Sequence, residues 1–144
     1  MERIGNERTG CSILVLPVAA GQEIKQGTMA ALNAEGYAVP ASKTEGLVIA
    51  GVAQTRADNR LGEDGDEVVE VRRGAFVLAG DATIKETDLL KTAYMSDAVT
   101  VTLTADGSSP AGQILEVAAD GVTVNVGTMG LDFLAAKAAT TPEE

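Results

Sequence analysis

The chain has no histidine, no tryptophan and a single cysteine, Cys11. Without histidine it has neither the commonest general base nor the commonest metal ligand, which excludes His-containing hydrolytic triads and His-built zinc sites. One cysteine cannot form an intrachain disulfide, and its place beside an apolar strand reads as a small buried hydrophobe. Aromatic residues are scarce, with only Tyr37, Phe76, Tyr94 and Phe133 present. Val, Ala, Leu and Ile must therefore fill the interior, each buried Val or Leu contributing about 1.5–3 kcal/mol. Positive charge is also sparse, with 11 Lys and Arg against 21 Asp and Glu and a formal net charge of -10. That balance argues against a nucleic-acid partner, because phosphate recognition starts from clustered Lys and Arg. The apolar run Ile13 to Ala20 is too short to span a membrane. The segment before it mixes Glu2 and Glu7 with Arg3 and Arg8 instead of being basic, so a strand is expected there and no membrane partner.

What the chain does have is strand texture. Val99, Val101 and Leu103 alternate with Thr100, Thr102 and Thr104, and Val122, Val124 and Val126 alternate with Thr123 and Asn125, the period of a half-buried strand. Gly-centred turns at Asp106-Gly107 and Asp120-Gly121 read as hairpin signals. Further strands are expected over Ser12 to Val18, with Pro17 confining it to an edge or strand end, and over Tyr37 to Val39, Leu47 to Gln54, Glu67 to Val71 and Ala75 to Ala79. Thr55 to Asp66 reads as the longest loop. Helix is expected in two places only: one turn over Lys85 to Lys91, and Leu131 to Ala138, where Leu131, Leu134 and Ala138 share a face.

The expectation is an all-β protein, a small β-barrel or β-sandwich, with an extended arm over 1–11, one β domain over 12–130, and a short helix with an acidic tail over 131–144. Ala20-Gly21, Ile24-Lys25, Ala38-Val39 and Ala50-Gly51 recur as Ala79-Gly80, Ile84-Lys85, Ala98-Val99 and Ala111-Gly112, with Met29-Ala30 opposite Leu89-Leu90. The echo, at about 60 residues, leaves open both a duplicated β unit and chance in an Ala/Gly-rich chain.

Sites of chemistry are few. Glu63-Asp64-Gly65-Asp66-Glu67 offers carboxylates for a hard cation, but its spacing fails the EF-hand pattern and it reads as a solvated loop. A glycosidase pair lacks an aromatic platform for a sugar. Asp106-Gly107-Ser108 has the wrong residue order for an aspartic protease, and no modified-lysine motif of a biotinyl or lipoyl carrier accompanies the Ala20 to Thr28 turn. Arg72-Arg73 between two strands could grip a carboxylate or phosphate, but neighbours in a strand face opposite ways, and a surface or interface ion pair is the expected role. No catalytic residue, cofactor or metal ligand is expected.

The run Leu90-Lys91-Thr92-Ala93-Tyr94 through Asp97, then Val99 to Thr104, Ala111-Gly112, Glu116-Val117 and Asp120 to Val124, resembles tailed-bacteriophage capsid decoration (cement) proteins. Gly51-Val52-Ala53 and Val69 to Phe76 fit the same pattern. The resemblance spans about residues 12–127 and lies in turn spacing and strand texture, with no catalytic residue to carry over. It implies a structural protein of the virion exterior, made in the host cytoplasm. Such a protein binds the outside of the mature head, commonly as a homotrimer, and stabilises it by clamping neighbouring major capsid subunits. The rival reading is another virion surface module, such as a head-fibre base or a host-binding adhesin. Expected contact residues, on the arm, the polar loop and the Arg pair, are Arg3, Ile4, Arg8, Arg56, Arg60, Arg72 and Arg73.

Overall fold

The computed structural model describes residues 12–130 and 132. The arm expected over 1–11, and all of the helix and tail expected over 131–144 apart from Asp132, lie outside the described residues. Those described form an all-β structure. The first half contains β1 (Ile13–Pro17), β2 (Glu23–Ile24), β3 (Met29–Leu32), β4 (Ala38–Pro40), β5 (Val48–Ala53), β6 (Ala57–Asp58) and β7 (Val68–Arg72). The second contains β8 (Gly74–Gly80), β9 (Thr92–Met95), β10 (Thr100–Thr102), β11 (Pro110–Ala118) and β12 (Gly121–Val126).

The two halves share one architecture. In the first, the strand order is β1-β7-β5-β3-β4, with one parallel bridge, Val18 to Ala38, joining the two ends. In the second, β8, β12, β11, β9 and β10 follow that order and close into a barrel through a parallel β8–β10 pairing. The registers coincide. Leu32 faces Ala38 as Met95 faces Val101, and Ala30 faces Gly51 as Ala93 faces Gly112. The irregularity between Ala30 and Ala31 recurs between Ala93 and Tyr94, where the partner strand skips from Gly112 to Pro110. Even the closing bonds match: the Ala19 amide donates to the Ala38 carbonyl at 2.9 Å, and the Asp81 amide to the Val101 carbonyl at 3.1 Å.

The echo seen in the sequence is thus a structural duplication, but its residue matching needs correction. Ala50-Gly51 and Ala111-Gly112 are true counterparts; Ala38 corresponds to Val101 rather than Ala98, and Met29-Ala30 to Thr92-Ala93 rather than Leu89-Leu90. Alanine-rich strands match by identity in several frames, whereas only one frame keeps the inward face inward.

Inward positions fill each half. Ala30, Ala50, Ala53, Val69 and Val71 line the first, and their counterparts Ala93, Ala111, Ile114, Val122 and Val124 line the barrel. β5 is a continuous apolar run because both its faces are buried. Ala50 and Ala53 point into their own half, while Ile49 and Val52 join Met29 and Ala31 in the cluster that includes the barrel interior. The expected β-barrel is thus present as the closed five-stranded second half, and the first-half sheet packs Met29, Ala31, Ile49 and Val52 into the cluster of its interior while keeping a second cluster of its own.

Three local expectations fail. Asp106-Gly107 makes no hairpin, since β10 pairs with β9 and β8 and never with β11; the turn signal is local and says nothing about which neighbour the strand will find. Lys85 to Lys91 forms turns, locked by Asp88 accepting the Lys85 amide at 2.8 Å, without a helix. The polar loop contains β6, which pairs with β2 through Glu23–Asp58 and Ile24–Ala57. The β11–β12 hairpin does form, with Ala119-Asp120 as its turn. There Gly121 is required, because a Cβ would lie 2.7 Å from the Leu78 carbonyl oxygen of the next strand.

Candidate interaction surface

β1 lies at the end of its sheet order, paired with β7 on one side and tied on the other only by the Val18–Ala38 bridge beyond its last residue. Strand alternation turns Leu14 and Leu16 toward the core, opposite Val71 and Val69. The same alternation turns Ile13, Val15 and Pro17 outward, opposite Arg72, Glu70 and Val68. The outward row is apolar where solvent should favour polar groups, with Val15 63%, Val68 56% and Ile13 41% exposed. Arg72 stands at its edge, exposed and without an ion pair among the described residues. A shallow recess lined by Ser12, Gln54, Arg72 and Phe76 adjoins it.

The other expected contact residues are dispersed. Arg3, Ile4 and Arg8 lie outside the described residues. Arg56 and Arg60 are held on the β2–β6 pair, which sets Glu23 beside Asp58. Arg60 grips Asp58 with two bonds, Nε to Oδ1 at 2.9 Å and Nη2 to Oδ2 at 2.8 Å, and Arg56 Nε donates to Glu23 Oε2 at 2.9 Å. The Arg60 hydrogen bonds hold the Asp58 carboxyl well below the usual carboxylate range, and Asp58 in turn raises Arg60. Arg73 turns inward and donates to the backbone carbonyls of Ala50 at 3.1 Å and Gly127 at 3.0 Å. The structure thus separates Arg72, on the outer face, from Arg73, spent on internal carbonyls.

The acidic loop is organised from within. Asp64 accepts the Ala20 amide at 2.8 Å and Asp66 the Glu63 amide at 2.9 Å, so these carboxylates fasten turns instead of converging. Among the described residues no group of three or more acidic or thiol side chains is placed to hold a metal ion.

The outward placement of Ile13 and Val15 is not legible in the sequence because Ile13 to Val18 is apolar at every position, and a run without alternation does not reveal which residues face out. Pro17, an edge signal, was the available clue. Compared with protein-family models, curated proteins and solved structures, the chain matches none.

Proposed function

We propose that the protein is a capsid decoration protein of a tailed bacteriophage, binding the outer surface of the mature head as a homotrimer and stabilising it by bridging neighbouring major capsid subunits. The observation that carries this reading is the apolar row Ile13–Val15–Val68 beside Arg72, laid along a strand with an open edge in an otherwise strongly acidic chain. An exposed apolar row rimmed by charge suits a protein interface, and an open strand edge can add main-chain hydrogen bonds across subunits. Trimeric attachment multiplies a modest contact through effective concentration.

Heads stripped of decoration provide the test. Wild-type protein is expected to bind them and raise the temperature at which they rupture. A Val15→Glu/Val68→Glu variant of unchanged melting temperature is expected to lose occupancy. Wild-type protein that leaves the heads bare overturns the reading, and light scattering of the free protein tests the trimer separately.

A further inference from the structure

Leu90 has φ 68, the only positive value at a non-glycine position among the described residues. A branched, bulky side chain is sterically disfavoured there. The duplication shows that the turn itself does not ask for leucine. Its counterpart is Gly27, φ 84. Gly27 donates to the Ala53 carbonyl at 2.8 Å and Ala53 donates back to Thr28 at 2.8 Å; Leu90 donates to Ile114 at 2.7 Å and Ile114 donates back to Lys91 at 2.9 Å. One backbone device is built with glycine in one half and leucine in the other.

Leu90 is not repaid by burial, for it is 50% exposed, as is Leu89, and Leu115 is 41% exposed. Leu115 is the extra residue where the β11–β12 register shifts between Ile114 and Glu116, the kind of bulge that re-aims a side chain. The counterparts of Leu89 and Leu115 are Gln26 and Gln54, so the same surface is polar in one half and leucine-rich in the other. Strain without internal return, on a patch absent from the sister half, calls for something outside the barrel wall to cover it.

The chain itself arrives there. The Gly130 amide donates to Thr92 Oγ1 at 2.7 Å, and a Cβ on Gly130 would stand 2.6 Å from the Leu90 carbonyl oxygen. Asp132 Oδ1 accepts the Thr92 amide at 2.7 Å. The sequence that follows carries Leu131, Phe133, Leu134 and Ala138, and even a fully extended chain keeps Leu134 within about 14 Å of Gly130. We propose that the segment 131–138 docks its apolar side chains on the Leu89–Leu90–Leu115 patch of its own barrel. This stands apart from the capsid reading and does not depend on it.

The test uses the full chain with Cys11→Ser. Adding Leu115→Cys and Leu134→Cys is expected to give an intramolecular disulfide under mild oxidation, running as monomer on a non-reducing gel. Gln54→Cys with Leu134→Cys, at the equivalent point of the other half, is expected to give none. In the native-cysteine chain, Phe133→Ser/Leu134→Ser should raise the fluorescence of a hydrophobic dye several-fold, and adding Leu89→Gln/Leu115→Gln should abolish the rise. A disulfide that forms only between chains, in proportion to concentration, overturns the proposal and assigns the patch to a second copy. Absence of the disulfide, or unchanged dye binding in the serine variant, overturns it as well.

Discussion

Arg73 ties the two halves together: its Nη2 donates to the Gly127 carbonyl at the end of β12, 3.0 Å away, while Nη1 donates to Ala50 within β5 at 3.1 Å. Arg73 is also the single residue between β7 and β8, and its amide donates to the Ser12 carbonyl at 2.7 Å. The shortest connection between strands among the described residues therefore carries the side chain that fixes what it connects. A planar guanidinium can serve two carbonyls in different directions, which an ammonium on a flexible stem cannot do with the same geometry.

Arg73→Ala is expected to cost about 2–3 kcal/mol, since two charge-assisted bonds disappear and two part-buried carbonyls lose their donor. Arg73→Lys should recover less than half of that loss. Arg72→Ala, one residue away on the outer face, should stay within about 0.5 kcal/mol of wild type. Urea unfolding of the three variants checks the ordering, and equal losses at both positions would remove the bridging role.

Asn59 holds the loop that the first half carries where the barrel has only the Ala119-Asp120 turn. Its side-chain amide donates to the carbonyls of Val18 at 3.0 Å, Ala19 at 3.1 Å and Glu63 at 2.8 Å, and the residue is 1% exposed. Three acceptors around one nitrogen fix the orientation of the amide and leave Oδ1 without a hydrogen-bond donor among the described residues. Asn59→Ala should cost about 2–4 kcal/mol through lost bonds and a buried gap. Asn59→Asp, nearly the same shape, should be worse, because a buried carboxylate would face carbonyl oxygens with nothing to donate. Thermal melts at neutral pH decide it; an aspartate variant more stable than the alanine variant would contradict the assignment.

How much of this was legible beforehand depends on distance along the chain. Apolar and period-2 runs and the Pro17 edge signal were local, and β1, β4, β5, β7, β8, β10 and β12 stand where those signals placed strands, whereas β2, β3, β6 and β9 carried no such signal. Partner choice was not local. Nothing in Val99 to Thr104 announces that β10 will lie parallel to β8, because that pairing closes a barrel whose other members are spread from Gly74 to Val126. The different placement of the two arginines was hidden for a similar reason: Arg72 and Arg73 look alike in sequence, and only the packed halves put carbonyls within reach of one of them. The exposed row on β1 was hidden because Ile13, Leu14, Val15 and Leu16 are all hydrophobic, though two face the core and two do not.

Acid should weaken the barrel through Asp81 and Asp88. Burial pushes Asp81 up, but hydrogen bonds from Thr102 and Thr83 outweigh it and the group titrates below its ordinary range. Asp88 is lowered by the Lys85 amide first and then by Lys91, whose Nζ lies 3.0 Å from Oδ1. A carboxyl depressed by folding contributes stability that is complete above its unfolded value of about 3.9 and is lost as pH falls through the folded value. Asp81→Asn and Asp88→Asn should therefore lower the melting temperature at neutral pH and converge on wild type only once the pH has fallen through the depressed folded-state values. A gap that stays constant from neutral pH to acid would show that these carboxylates act by shape alone.

Gly51 and Gly112 give the duplication a quantitative test. Each sits at the point where the register shifts, and a Cβ would lie 2.7 Å from the Arg72 carbonyl oxygen at Gly51 and 2.3 Å from the Asn125 carbonyl oxygen at Gly112. Backbone atoms of a neighbouring strand cannot swing aside as a flexible side-chain tip can, so Ala at either site must push paired strands away from each other. Overpacking of this kind costs about 1–3 kcal/mol or more, and at Gly51, where φ is +155, alanine adds backbone strain. Gly36, with φ +88 and no atom within 4 Å of the added Cβ, serves as a control for strain alone; Gly36→Ala should cost about 1 kcal/mol. Both register-shift glycines should exceed that by a clear margin, and the Gly51→Ala/Gly112→Ala double variant should fail to accumulate as folded protein. If one of the two tolerates alanine as well as Gly36 does, the halves share strand order without sharing the close approach that the matching registers describe.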